Sequence, residues 1–232
     1  MGKLDSKWCF AWFAEPKVTK GSKRAALATG SKWTRGEVIE VSFLDGDPTV
    51  QARVKSVAAG WIAPDMANLQ FVFRSDTTNT PIRISFKYPG SWSVIGTTCH
   101  QITDRSQPTM NFGWLNAGSD DDEVRRVVLH EFGHALGLIH EHQNPYGDPI
   151  QWNRDAVIRD LSGPPNNWTL DTIEHNMFEP YAKGEVNGTA LDAASIMMYP
   201  IPASWTLNGF SVGLNSDLSG GDKNFIRDQY PQ

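Results

Sequence analysis

The chain lacks any uninterrupted run of about eighteen apolar residues, so no membrane-spanning helix is expected. It has only two cysteines, Cys9 and Cys99, which permit at most one disulfide. A Cys9–Cys99 bridge would tie the N-terminal segment to the middle of the chain and imply an oxidising compartment; two free thiols, or one thiol near a metal, are the other options. A basic stripe is also missing. Lysine and arginine number 21 against 26 acidic residues, for a net charge of −5. Nothing in this balance recommends a nucleic acid or another polyphosphate as partner. No internal repeat is evident. The opening MGKLDSKWCFAWFAEP has a thin basic part, a broken apolar run and no A-x-A-like cleavage site, so it does not read as a secretory signal.

What is present is a folding composition. Hydrophobic residues make up 40% of the 232 and strong charges 20%, which suits one large domain, or two lobes sharing a core, rather than a disordered chain. Nine tryptophans are many for this length and are read as core and rim packing. Residues 17–36 look like a loose, basic lead-in. Val38, Val41 and Phe43 belong to a strand, and DGDP closes it, with Pro48 opening a helix that carries Val50, Val54, Val57 and Trp61. Asn68 to Arg74 reads as a strand. Pro81 to Lys87 alternates, with Ile82, Ile84 and Phe86 on one face. Ser91 to Ile102 is ambiguous, a short edge strand with its loop, and Thr109 to Leu115 offers another strand. Ser119 with Asp122 approximates a capping box before an acidic first turn, and Val124, Val127, Val128, Phe132 and Leu136 continue that helix. Beyond His142 the texture loosens into Pro-, Gly- and Asn-rich loops, with a candidate helix at Thr169 to Phe178, a compact apolar turn at Ser195 to Pro200 and a closing helix at Leu218 to Tyr230.

The chemistry concentrates in HEFGHALGLIH, from His130 to His140. His130 and His134 are four apart and share one helix face, so their imidazoles can converge on one ion. Glu131 can reach a water at that ion without ligating it, the arrangement of a zinc hydrolase with glutamate as general base. Had the helix simply continued, His140 would lie roughly 9 Å farther along the axis than His134. Gly137 can take positive φ and turn the chain back, which makes His140 the third ligand. Three neutral imidazoles suit one catalytic Zn²⁺ and leave a position open for water. His100, His142 and His175 read as surface or packing residues.

Together with SIMMYP, Ser195 to Pro200, this stretch resembles the metzincin zinc endopeptidases, most closely the astacin family or its bacterial and fungal relatives. The serralysin and matrixin branches share the histidine motif. By that resemblance Met197 is the hydrophobic floor beneath the three histidines, and Tyr199 is a resting-state zinc ligand that swings away to stabilise the tetrahedral intermediate. Glu141 matches a family glutamate that organises the mature N-terminus, and Asp192 matches an acidic residue before the turn.

The resemblance implies an α+β, metzincin-like zincin fold. Residues 1–232 form a single catalytic domain, with a lead-in over 1–31, an N-terminal lobe over about 32–140 and a smaller lobe over about 141–232. The expected activity is zinc-dependent peptide hydrolysis of an extended substrate laid along an exposed sheet edge, with Ser91 to Ile102 or its neighbour as that edge. A secreted, monomeric enzyme is expected. The competing readings are a protein-binding module or effector on a peptidase fold, and a zinc amidase acting on a non-protein substrate.

Overall fold

The computed structural model describes residues 9–12, 30–76, 79–146, 148–164, 166–181, 187–188 and 190–232. Among the described residues, six strands form one sheet in the order β1-β5-β6-β4-β2-β3. They are β1 (Cys9–Trp12), β2 (Val38–Phe43), β3 (Gln70–Arg74), β4 (Ile82–Ser85), β5 (Ser91–Val94) and β6 (Met110–Phe112). All neighbours run parallel except β5 and β6, which are antiparallel.

Local chemistry accounts for the element boundaries. Asp47 accepts a hydrogen bond from Thr49 N at 2.7 Å and Pro48 takes the first turn, so helix α1 (Pro48–Ala58) starts where DGDP ends. Val50, Val54 and Ala58 face inward, and Trp61 follows in a 3-10 turn. Helix α2 (Asp121–Ala135) begins one residue later than a Ser119 cap would place it. Asp120 is the cap, accepting from Asp122 N and Glu123 N, while Ser119 Oγ accepts instead from Asn116 N at 2.9 Å. The alternation in PIRISFK predicts one polar face, yet Arg83 and Ser85 are as buried as Ile82 and Ile84. The loop after β5 covers that face. The Arg83 guanidinium donates to the carbonyls of Thr80, Ile102 and Gln107 at 2.9, 3.0 and 2.8 Å, which satisfies a charge that burial would otherwise penalise.

In the second half, α3 (Arg154–Ser162) is a helix that the Pro- and Asn-rich flanks conceal; Asn153 caps it and Ala156, Val157 and Leu161 are buried. The candidate helix at 169–178 is a single turn, α4 (Leu170–Ile173), running into a π turn over Glu174–Phe178. Helix α5 (Gly220–Gln229) opens with a true capping box between Ser219 and Asp222.

Buried apolar side chains form two clusters. The first joins the sheet, α1, α2 and α5 and includes Met197. The second joins α3, α4 and the loops to Val212, and includes Met198 and Tyr199. Tryptophans tie the first cluster to α2 by hydrogen bonds as well as area. Trp61 Nε1 donates to Leu129 O at 2.9 Å and Trp33 Nε1 to Ala135 O at 2.8 Å. Trp33 and Ser31 are buried, so the end of the expected loose lead-in is packed; residues 17–29 lie outside the described residues.

Two expectations change. Cys99 is a free, buried thiol, so no Cys9–Cys99 bridge forms. The backbone register sets Cys9 beside Ser91, while Cys99 lies farther on, in the 3-10 turn Gly96–Gln101. Burial pushes the Cys99 thiol up to about 12, which makes it unreactive. Nor is Ser91–Val94 an open edge, because β1 pairs with it in parallel. No helix among the described residues is long and apolar enough to cross a membrane.

Candidate metal centre

His130 and His134 leave α2 from the same face, buried at the boundary between the two clusters. Gly137 has φ +99, a left-handed conformation that favours glycine, and the chain reverses there. A Cβ at Gly137 would meet nothing closer than 3.6 Å, so backbone conformation, and not space, is what asks for glycine. The reversal returns His140, 1% exposed, to the other two histidines. Their ligand atoms all lie within 4.8 Å of one another. His134 Nε2 is 3.1 Å from both His130 Nε2 and His140 Nε2.

Tautomers decide what this cluster can bind. His130 Nδ1 lies 2.8 Å from Ile196 O, and His134 Nδ1 lies 2.8 Å from Leu138 O. A carbonyl only accepts, so each Nδ1 carries the hydrogen and each Nε2 keeps a lone pair. Two lone pairs facing each other at 3.1 Å repel, and a cation between them removes the repulsion. Tetrahedral zinc with Zn–N bonds of about 2.0–2.1 Å sets its nitrogens about 3.3 Å apart, close to the spacing here. Burial holds all three imidazoles below the ordinary histidine range, His134 at about 4, which keeps them in the neutral, ligating form. One catalytic zinc fits this donor set.

The turn at Ser195 to Pro200, called the Met-turn after Met197, holds the segments that carry His130 and His140. Ile196 O accepts from His130, and Met197 O accepts from Glu141 N at 3.0 Å, next to His140. The turn is itself anchored by buried Asp222 of α5. That carboxylate accepts from Ser195 Oγ at 2.6 Å, Ile196 N at 2.8 Å and Ser219 N at 2.9 Å. Met197 lies directly under the ligand helix, since a Cβ on Gly133 would sit 2.4 Å from Met197 Sδ and 3.1 Å from Trp61 Cζ2. Gly133 is thus required for close approach. Its place between His130 and His134 is a sequence signal for that close approach.

Glu131 is fully buried on α2 beside His130. Tyr199, 2% exposed, packs with its ring centroid 4.2 Å from His140 and 6.2 Å from His130. Of the two expectations for His142, surface or packing, the structure shows packing. The residue is 7% exposed, stacked on Tyr199 at 4.7 Å, and burial lowers its pKa to about 4. His100 is exposed with its ring against Trp33, and His175 pairs with Glu179 at 3.0 Å; neither approaches the cluster. Glu141 points away from the histidines into a cavity shared with Lys32, Asp192, Asp222 and Phe225. Its carboxylate accepts from Asn144 Nδ2 and Asp192 N, both at 3.0 Å, and burial pushes its pKa up to about 7.

No protein-family model matches the chain. Solved structures do: one titled "Structure of myroilysin" is 41% identical, with TM-score 0.84, covering 88% of this chain and 98% of that one. Among curated proteins, zinc metalloproteinase nas-24 of Caenorhabditis elegans is 30% identical over 78% of this chain, and zinc metalloproteinase nas-8 is 26% identical over 90%. The chain belongs to the astacin-like metzincins. A medaka hatching enzyme, a zinc-protease of Oryzias latipes, is 19% identical at TM-score 0.58 over 87% of this chain, a likeness of fold alone. The fold is accordingly the α+β zincin fold of this family. The chain spans less than half the length of the curated relatives it matches, 39% of nas-24 and 46% of nas-8.

Proposed function

We propose that this protein is a zinc-dependent endopeptidase whose ligands are His130, His134 and His140, with Glu131 as general base and Tyr199 as oxyanion donor. The observation that carries the reading is the set of three converging imidazoles beside a buried carboxylate. Bound zinc would supply a Lewis acid that polarises the scissile carbonyl and acidifies water. Glu131 takes the proton of the attacking water and delivers it to the departing amine as the C–N bond breaks. Tyr199 donates its phenol hydrogen to the oxygen on which charge develops, and it can rest against the metal position before substrate arrives. Gly137 and Met197 are structural, the one turning the chain and the other supporting the histidines from below.

Residues 1–232 act as one catalytic unit of two lobes, divided near residue 140, with the closing helix α5 packed back on the first. An extended peptide replaces β1 beside β5, where main-chain hydrogen bonds need no particular side chain. That place is held by β1, so removing residues 1–12 raises the rate of peptide cleavage several-fold if the assignment is right, and leaves it unchanged if substrate enters elsewhere. Net charge −5 favours neither nucleic acid nor an anionic membrane as partner. The protein works as a secreted monomer.

Glu131→Gln tests the mechanism. Zinc content stays at one per chain while cleavage of a denatured protein, read by mass spectrometry of the products, falls by about 10²–10⁴. Unchanged cleavage with zinc bound would remove Glu131 from the role of base. Zinc bound without any turnover in the unaltered protein would favour a binding module instead.

A further inference from the structure

His142 is a buried polar side chain that the proposed mechanism does not use. Its Nε2 lies 2.7 Å from Asn176 O, so Nε2 carries the hydrogen and donates it. Its Nδ1 is buried with no hydrogen-bond partner. A phenylalanine would fill the same space without stranding an acceptor, so packing alone does not account for the polar edge. What that edge does is fix the plane of the ring. The anchor is a rigid one: Asn176 Nδ2 donates to Thr172 O at 2.8 Å, and neighbouring Gln143 Nε2 donates to His175 O at 2.7 Å and Glu179 O at 3.1 Å. Held in this way, the His142 ring lies 25° from parallel to Tyr199 at 4.7 Å, and 24° from parallel to His140 at 5.4 Å. Trp152 closes its edge at 6.2 Å, near perpendicular. The Tyr199 ring therefore rests against His140 and His142 together, and only His140 is a candidate ligand.

We propose that His142 is a positioning residue, a tethered aromatic wall that sets where the Tyr199 phenol rests beside His140. The inference rests on the reading of Tyr199 as a group that works at the metal. A phenol aimed by a fixed wall spends more of its time where it can reach the metal and the developing oxyanion. Without the wall the ring has room to turn, and the fraction aimed correctly falls. Loss of one aromatic contact of this kind changes such a population by between about twofold and tenfold.

The test uses His142→Gln, which keeps a donor for Asn176 O but removes the ring, and His142→Phe, which keeps the ring but releases the tether. Both are measured with zinc and with Cu(II) in its place. A tyrosine oxygen on Cu(II) gives a phenolate-to-copper charge-transfer band in the visible, a readout independent of turnover. The expected result is a kcat lowered about twofold to tenfold in His142→Gln with KM little changed, a weakened or shifted copper band, and a milder change in His142→Phe. Melting temperature and zinc content identify any variant that merely unfolds, and the other variant then decides. Wild-type kcat and an unaltered copper band in the folded variants would overturn the proposal. Tyr199→Phe separates the two levels. If it keeps full activity and an unaltered copper band, the reading of Tyr199 fails. If it loses both while the His142 variants lose neither, only the positioning role fails.

Discussion

Met197 and Met198 are adjacent in the chain and belong to different cores. The first core is made by regular elements: α1 packs on α2 and α2 on the sheet, and every residue of α2 from Val127 to Ala135 is buried. The second is made by short helices, turns and two isolated bridges, Trp152–Thr206 and Ile201–Val212. The histidine cluster sits where they meet, and the Met-turn is the piece common to both. Met197 presses on Gly133 in the first core, while Tyr199 rests on His142 in the second. The two cores divide the labour. The regular core presents the ligands, and the irregular one places the groups around them.

That division can be broken on purpose. The largest effect is expected from matched cavities, Leu129→Ala in the first core and Leu161→Ala in the second, both positions being fully buried. Each costs about 2–5 kcal/mol of stability by chemical denaturation. Only Leu129→Ala, on the ligand helix, should also weaken zinc binding, measured by competition with a chromophoric chelator. Leu161→Ala should lower kcat while zinc affinity holds. Equal zinc affinities in the two would mean that the cores do not divide the work.

A smaller effect follows at the contact between turn and helix. Gly133→Ala forces Met197 or Trp61 to shift and should cost about 1–3 kcal/mol in denaturation, with a measurable loss of zinc affinity. A neutral outcome would show that Met197 does not bear on the helix.

A further effect is on pH. Burial lowers the pKa of His130, His134, His140 and His142, so the folded, metal-free state binds fewer protons than the unfolded chain. Their contribution is complete above the unfolded value near 6.5 and is lost as pH falls toward about 4. Glu141 works in the opposite sense. Its contribution is complete below its ordinary value of 4.5 and is lost as pH rises through about 7. Four histidines outweigh one carboxyl, so the melting temperature of the chelated protein should rise between pH 4 and 6.5. A flat or falling profile would place the histidines closer to water than they are here.

The first core was largely legible in the sequence because its signals are local. Val50 and Val54, or Val124, Val127 and Val128, declare a helix face within a few residues. HEFGHALGLIH likewise contains its own geometry, down to the glycine that reverses the chain. Caps were legible to within one residue, with Asp120 taking the place of Ser119 because its carboxylate reaches two amides of the first turn. Resemblance to the metzincins brought Met197 and Tyr199 to the site, although neither residue announces itself. What stayed hidden depends on partners far along the chain. Arg83 looks like the polar face of a strand until the 102–109 loop covers it. His142 reads equally as a surface or a packing histidine until the Glu174–Phe178 turn offers a carbonyl. The pairing of β1 with β5 has no local signal, because strand addition reads backbone rather than side chains.

The proposed zinc site requires His130, His134 and His140 to hold one ion jointly. Anomalous diffraction from crystals of the zinc-loaded protein, recorded on either side of the zinc absorption edge, tests it most directly. The expected result is a single peak at about 2.0–2.1 Å from the Nε2 atoms of all three histidines. A peak bound by only two of them, or one lying elsewhere in the molecule, would contradict it.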